Sequence, residues 1–203
     1  MHRPSRPETL LVATTNAGKA REIGRLLTDV LIVLKTLSDL TALPEPEETG
    51  TTFAENALIK ARAYAEATRL PTVAEDSGLV IDALDGRPGV ESARYPGATY
   101  PDKFVNLYRE LTPHTRPWTA RYVSSLAVVD EAHTLFATEA TVEGEIAPEP
   151  SGANGFGYDP IFYFPPYGRT FGDTDDADKL AVAHRGKAFR ALADWLRADP
   201  IRD

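Results

Sequence analysis

Three stretches of this 203-residue chain carry residue types suited to acting on a phosphorylated substrate. Thr14-Thr15-Asn16-Ala17-Gly18-Lys19 sets hydroxyls, a carboxamide, a glycine and a lysine between an apolar run, Thr9 to Ala13, and an amphipathic pattern through Ile23, Leu26 and Leu27. A loop entering a helix N-terminus turns backbone N–H groups and the positive end of the helix dipole outward, so phosphate binds well there. The spacing is not that of a Walker A loop, and an N-capped helix with a surface lysine explains the same residues. Glu47-Glu48, inside the loop Pro44 to Gly50, and Glu75-Asp76-Ser77-Gly78 provide carboxylates. Mg²⁺ takes one or two protein carboxylates together with substrate phosphates and water, and a carboxylate beside it can deprotonate that water. Acidic loop residues are more often simply solvated. Asp76 departs from that pattern because apolar runs flank it, and a buried charge must be satisfied.

Two further segments fit a planar, anionic ligand. Gly155-Phe156-Gly157-Tyr158-Asp159-Pro160 combines glycines that permit close backbone approach with aromatics that could stack on a base. A glycine turn feeding aromatics into the core is the plainer reading. Lys179 and His184-Arg185-Gly186-Lys187 form a late basic cluster, although the separation of Lys179 and His184 does not put them on one narrow helix face. The remaining histidines, His2, His114 and His133, have no ligand-like spacing.

Composition narrows the classes. Lys and Arg number 22 against 30 Asp and Glu, for a net charge of −8, with no basic block. Dedicated nucleic-acid binding is therefore not expected. The absence of cysteine removes disulfide scaffolds, thiolate metal sites and cysteine nucleophiles. The longest apolar run, Val30 to Leu34, is far below a membrane span of roughly 20 residues, and no apolar stretch follows Arg3 and Arg6 as a secretion signal requires. A cytoplasmic protein without a membrane partner is expected.

The elements that must position these residues follow from periodicity. Strands are expected at Thr9–Ala13 and Val30–Leu37, and a capping box, Thr52 to Glu55, opens a long helix to about Thr68. A short strand at Pro71–Ala74 should stop at Glu75-Asp76-Ser77-Gly78 and resume at Leu79–Leu84. Thr99 with Pro101 starts another helix through Leu111. Thr119–Val129 and Thr134–Val142 read as an alternating hairpin, Ile161–Phe164 as an aromatic strand, and Asp175 to Arg197 as one closing helix.

Taken in order, Thr14-x-Asn16-x-x-Lys19, Glu48-Thr49-Gly50-x-Thr52-Phe53-x-Glu55-Asn56-Ala57-x-x-Lys60-Ala61, Asp76-Ser77-Gly78-Leu79, Pro88-Gly89-Val90-x-Ser92-Ala93-Arg94-Tyr95, Gly155-Phe156-Gly157-Tyr158-Asp159-Pro160-Ile161-Phe162 and His184-Arg185-Gly186-Lys187-Ala188 closely resemble the inosine triphosphate pyrophosphatase family. The blocks run from Thr14 to Ala188, over nearly the whole chain.

That resemblance implies an α/β fold with a long, mixed, twisted sheet flanked by helices and two lobes around a nucleotide cleft. Residues 1–8 would be an extension and residues 9–203 a single domain. It implies hydrolysis of dITP, ITP and XTP to the monophosphate and pyrophosphate by a homodimer using Mg²⁺, with Mn²⁺ as the alternative. By position, Thr14, Thr15, Asn16, Ala17, Gly18 and Lys19 would form the triphosphate loop, with Lys179 a second phosphate lysine. Asp76 would be the base and, with Glu47 rather than Glu48, the metal site, while Ser77 touches substrate. Phe156, Gly157, Tyr158 and Asp159 would hold the base, with His184 and Arg185 at the purine edge. Three departures stand out: Glu75 where aspartate is common, Arg169 where lysine is common, and Ala183 where serine commonly precedes His-Arg. Two competing readings are a Maf-like pyrophosphatase for other nucleotides and a non-catalytic nucleotide sensor.

Overall fold

The computed structural model describes residues 7–131 and 133–198. Seven strands form one mixed sheet: β1 (Thr9–Ala13), β2 (Val33–Thr36), β3 (Thr72–Ile81), β4 (Thr119–Asp130), β5 (His133–Ile146), β6 (Phe162–Phe164) and β7 (Arg169–Thr170). Their order is β2-β1-β3-β4-β5-β6-β7. β1 pairs in parallel with β2 and with β3, whereas β5–β6 and β6–β7 are antiparallel. Among the described residues there are five α-helices, α1 (Ala17–Leu26), α2 (Phe53–Thr68), α3 (Tyr100–Leu111), α4 (Asp176–Val182) and α5 (His184–Arg197). The expected mixed α/β architecture is therefore present.

Among the described residues the chain divides into two compact units, one of residues up to 76, within 124–140 and from 185 on, the other of residues 77–123 and 141–184. Within the first, Leu10, Val12, Leu126, Val128, Phe189 and Leu192 form one core cluster, and Leu11, Ala13, Ala57, Ala61, Ala127 and Val129 form another. Alternate residues of β1 and β4 divide between these clusters, as the period of two requires, so both faces of the strands are covered. Within the second, Leu79, Ile81, Leu107, Trp118, Phe162 and Phe171 pack together.

Several boundaries differ from expectation for identifiable reasons. β2 is shorter than Val30–Leu37. β4 does not alternate: Tyr122 to Val129 are all buried, because both of its faces meet a core. β3 does not stop at the acidic residues but runs through them, since its buried carboxylates find cationic partners. The closing helix is broken at Ala183, whose ψ of 156° is extended, giving α4 and α5. Of the N-terminal extension, residues 1–6 lie outside the described residues, and the Glu8 carbonyl accepts from Val33 N at 2.9 Å. No helix among the described residues is long and apolar enough to cross a membrane.

Candidate active site

Asp76 occupies the middle of β3 in the first unit and is 6% exposed. α2 organises its surroundings. Thr52 caps that helix, accepting from Glu55 N at 3.1 Å while the Glu55 carboxylate accepts from Thr52 N. The cap sets the phase of the helix, and Asn56 and Lys60, four residues apart, share the face beside β3. Asn56 is fully buried; its Nδ2 donates to Asp76 Oδ2 at 3.2 Å and its Oδ1 accepts from Gly50 N at 2.8 Å. Gly50 is required there, because a Cβ would lie 2.6 Å from Asn56 Oδ1. Asn56 thus joins the acidic loop to the buried aspartate.

Lys60 Nζ lies 2.7 Å from Glu48 Oε1 and 3.4 Å from Asp76 Oδ1. Burial opposes the charge on Lys60, yet Asp76 and Glu48 together hold its pKa above the ordinary lysine value. Burial likewise lifts Asp76 above the ordinary aspartate value, against the pull of Lys60 and Lys19. Glu48 meets Lys60, while Glu47, expected as the metal carboxylate, is exposed.

Glu75, next along β3, points to the opposite face and meets different partners. Ser124 Oγ donates to it at 2.7 Å, Arg185 Nε reaches its two oxygens at 2.9 and 3.1 Å, and Lys19 Nζ lies 3.5 Å away. Arg185 also donates to buried Glu22 of α1. Despite burial, Arg185 and Lys19 hold the Glu75 carboxyl far below its ordinary range, while burial lowers Lys19 more than Glu75 raises it. Arg185, expected at a purine edge, is therefore bound between two carboxylates, with its own pKa driven up by them.

The Thr14–Lys19 loop has the expected strand-to-helix position. Asn16 Oδ1 takes the N–H groups of Gly18 and Lys19 at 2.9 and 3.0 Å, so the N-cap reading holds for those two donors. Thr15 donates to Glu45 at 3.3 Å, Ala17 is exposed, and Thr14 Oγ1 accepts from Asn16 N.

In the second unit, Gly155 and Gly157 have φ of +70° and +69° and shape a turn around Asp159. Asp159 Oδ2 accepts from Phe156 N at 2.7 Å and from Lys179 Nζ at 2.7 Å, with Lys179 4.9 Å from the Phe156 ring. Lys179, expected among phosphates, thus lies in the aromatic cluster, buried and ion-paired. His184 stacks on Tyr122 at 4.6 Å, and Tyr122 donates to Asp159 at 3.4 Å. Ser77 is half-buried. Sequence reasoning did not assign roles to Glu22, Asn56 or Lys60. Helical spacing was a usable signal for the latter two, but nothing local marked Glu22.

A family model described as the Ham1 family matches residues 10–195. The chain belongs to the Ham1 family. It is 44% identical to a dITP/XTP pyrophosphatase of Halalkalibacterium halodurans over 191 residues, covering 92% of this chain and 97% of that one. It is also 44% identical to a dITP/XTP pyrophosphatase of Geobacillus kaustophilus, covering 90% and 91%. Among solved structures, a HAM1 protein from Coxiella burnetii superposes with a TM-score of 0.86 at 39% identity, covering 93% of this chain and 98% of that one. The Ham1 fold is shown by that agreement.

Proposed function

We propose that this Ham1 protein is a dITP/XTP pyrophosphatase, hydrolysing dITP, ITP and XTP to the nucleoside monophosphate and pyrophosphate and so clearing deaminated purines. The observation that carries this reading is the setting of Asp76: a buried carboxylate held by Asn56 and facing a lysine that a second carboxylate shares.

The donor set fits a hard cation. Glu48 and Asp76 already converge on one positive group, the Lys60 ammonium, and hard divalent ions prefer such oxygens. Among the described residues no cluster of three metal-binding side chains is assembled, and two carboxylates are what Mg²⁺ commonly takes from protein when phosphates complete its shell. Glu48 and Asp76 would hold Mg²⁺, or Mn²⁺ in its place, and the bound ion would offset charge on the phosphates.

The chain's own groups do the rest. Lys60 and Lys19 would draw the triphosphate by charge, with Ser77 and the Thr14–Lys19 loop as further contacts. Asp76, raised by burial, is suited to take a proton from the attacking water. Asn56 fixes which oxygen faces the reaction. Phe156, Gly157, Tyr158, Asp159 and Lys179 would take the base, with His184 packed behind on Tyr122. Hypoxanthine and xanthine carry an acceptor at C6 where adenine carries a donor. A protein donor aimed there would be left unpaired by adenine, at about 1 to 3 kcal/mol.

Pyrophosphate release from ITP, dITP, XTP, GTP, ATP and dTTP, with Mg²⁺ and with chelator, tests the reading. Metal-dependent preference for the first three is expected, and Asp76→Asn should abolish it with the fold intact. Preference for dTTP would indicate a Maf-like activity instead, and ITP binding without turnover a sensor. The same reading extends to a cytoplasmic homodimer without nucleic-acid partners, supported by family resemblance and the charge of −8. Light scattering should give twice the chain mass.

A further inference from the structure

From the geometry around Gly157 we infer that Tyr100 is a positioning residue for purine nucleotides, its ring bracing the glycine turn at residues 155–159; this rests on the proposed base-binding role of that turn. The turn has one anchored flank. Tyr158 is buried and its hydroxyl donates to the Ser92 carbonyl at 2.8 Å, while Asp159 is fixed by Phe156 N and Lys179. Its other flank is Gly157, in the left-handed region at a φ of +69° that glycine adopts readily, whereas Gly155 already packs against the Asp159 carboxylate, 2.1 Å from where a Cβ would fall. The first atoms that a Cβ on Gly157 would meet all belong to the Tyr100 phenol, at 3.6 to 3.7 Å. The ring therefore occupies the side on which the turn could otherwise relax.

Tyr100 is itself held firmly. It is the first residue of α3, between the N-cap Thr99 and Pro101, and the Asp102 carboxylate accepts from Thr99 N at 2.9 Å. Its ring meets Tyr158 edge-on at 5.2 Å and Phe104 at 6.4 Å, and the Lys103 ammonium lies 5.1 Å from its centroid. The ring makes these contacts, and the phenol oxygen shares the approach to Gly157, 3.6 Å from where a Cβ would lie. Tyr100 is nonetheless 37% exposed, so it is not simply core. None of the sequence motifs includes it. Its selection depends on α3 and the turn meeting in space, a pairing across more than fifty residues.

Steady-state kinetics with ITP and Mg²⁺ on the full chain test this, using Tyr100→Ala, Tyr100→Phe and Phe156→Ala, each with a thermal melt. Tyr100→Ala should raise KM about three- to tenfold, the scale of one aromatic contact, with a smaller fall in kcat. Tyr100→Phe should recover most of the loss, which a hydroxyl contact to substrate would not allow. An unchanged KM in Tyr100→Ala beside a raised KM in Phe156→Ala would overturn the brace alone. An unchanged KM in Phe156→Ala would overturn the base-binding role of the turn and the brace with it. Should Tyr100→Ala fail to fold, Tyr100→Leu keeps the bulk without the ring, and a wild-type KM in that folded variant would equally overturn the proposal.

Discussion

Adjacent acidic residues in β3 have separate tasks because a strand turns successive side chains to opposite faces. Asp76 faces Lys60 and Asn56, and Glu75 faces Arg185, Lys19 and Ser124. Removing one partner of a buried ion network leaves the others uncompensated, so Glu75→Gln should cost about 3 to 5 kcal/mol in urea unfolding. Its pH dependence has a definite sign. The folded-state pKa of Glu75 lies well below the unfolded value of 4.5, so this stabilisation is complete above pH 4.5 and is lost as pH falls towards the folded value. The stability gap between wild type and Glu75→Gln should therefore narrow in acid. Lys60 acts in the other direction on Asp76, favouring its charged form. Lys60→Gln should move the acidic limb of the kcat/KM profile to higher pH, besides lowering activity, because less positive charge then offsets the burial of Asp76.

Elements set the accuracy of these contacts. The Thr52–Glu55 capping box was readable in the sequence, and it fixes the register that puts Asn56 and Lys60 against β3. Thr52→Ala should destabilise the protein by about 1 kcal/mol in thermal or chemical melts. The turn around Asp159 is less tolerant. At Gly155 the φ is +70° and a Cβ would fall 2.1 Å from Asp159 Oδ2, so Gly155→Ala should both strain the backbone and displace the carboxylate that pairs Lys179. A raised KM for ITP together with a lowered Tm is the expected outcome. The break at Ala183 matters in the same way. It lets His184 stack on Tyr122 within the second unit while Arg185, one residue later, joins Glu22 and Glu75 in the first. A continuous helix, which periodicity suggested, would have carried both side chains elsewhere.

For the molecule as a whole, a ligand that binds only the folded state stabilises it by mass action. At about a hundredfold excess over its Kd, Mg²⁺ should add about 2.7 kcal/mol, visible as a higher Tm in calorimetry, and Asp76→Ala should remove that gain. Much of the protein was legible beforehand. Local rules identified β1, α2 and α3, because apolar periodicity, capping and turn chemistry act over a few residues, and the ordered motifs gave the family resemblance that implied the mixed α/β class. Asp76, the Thr14–Lys19 loop and the 155–159 turn were chosen on the same grounds. What the tertiary structure alone decided is which charge meets which. Arg185 reaches Glu75 across 110 positions and Glu22 across 163, Lys179 reaches Asp159 across 20, and Lys60 selects Glu48 over Glu47. A buried charge takes whatever opposite charge the packed fold brings within reach, and no local spacing rule encodes that proximity.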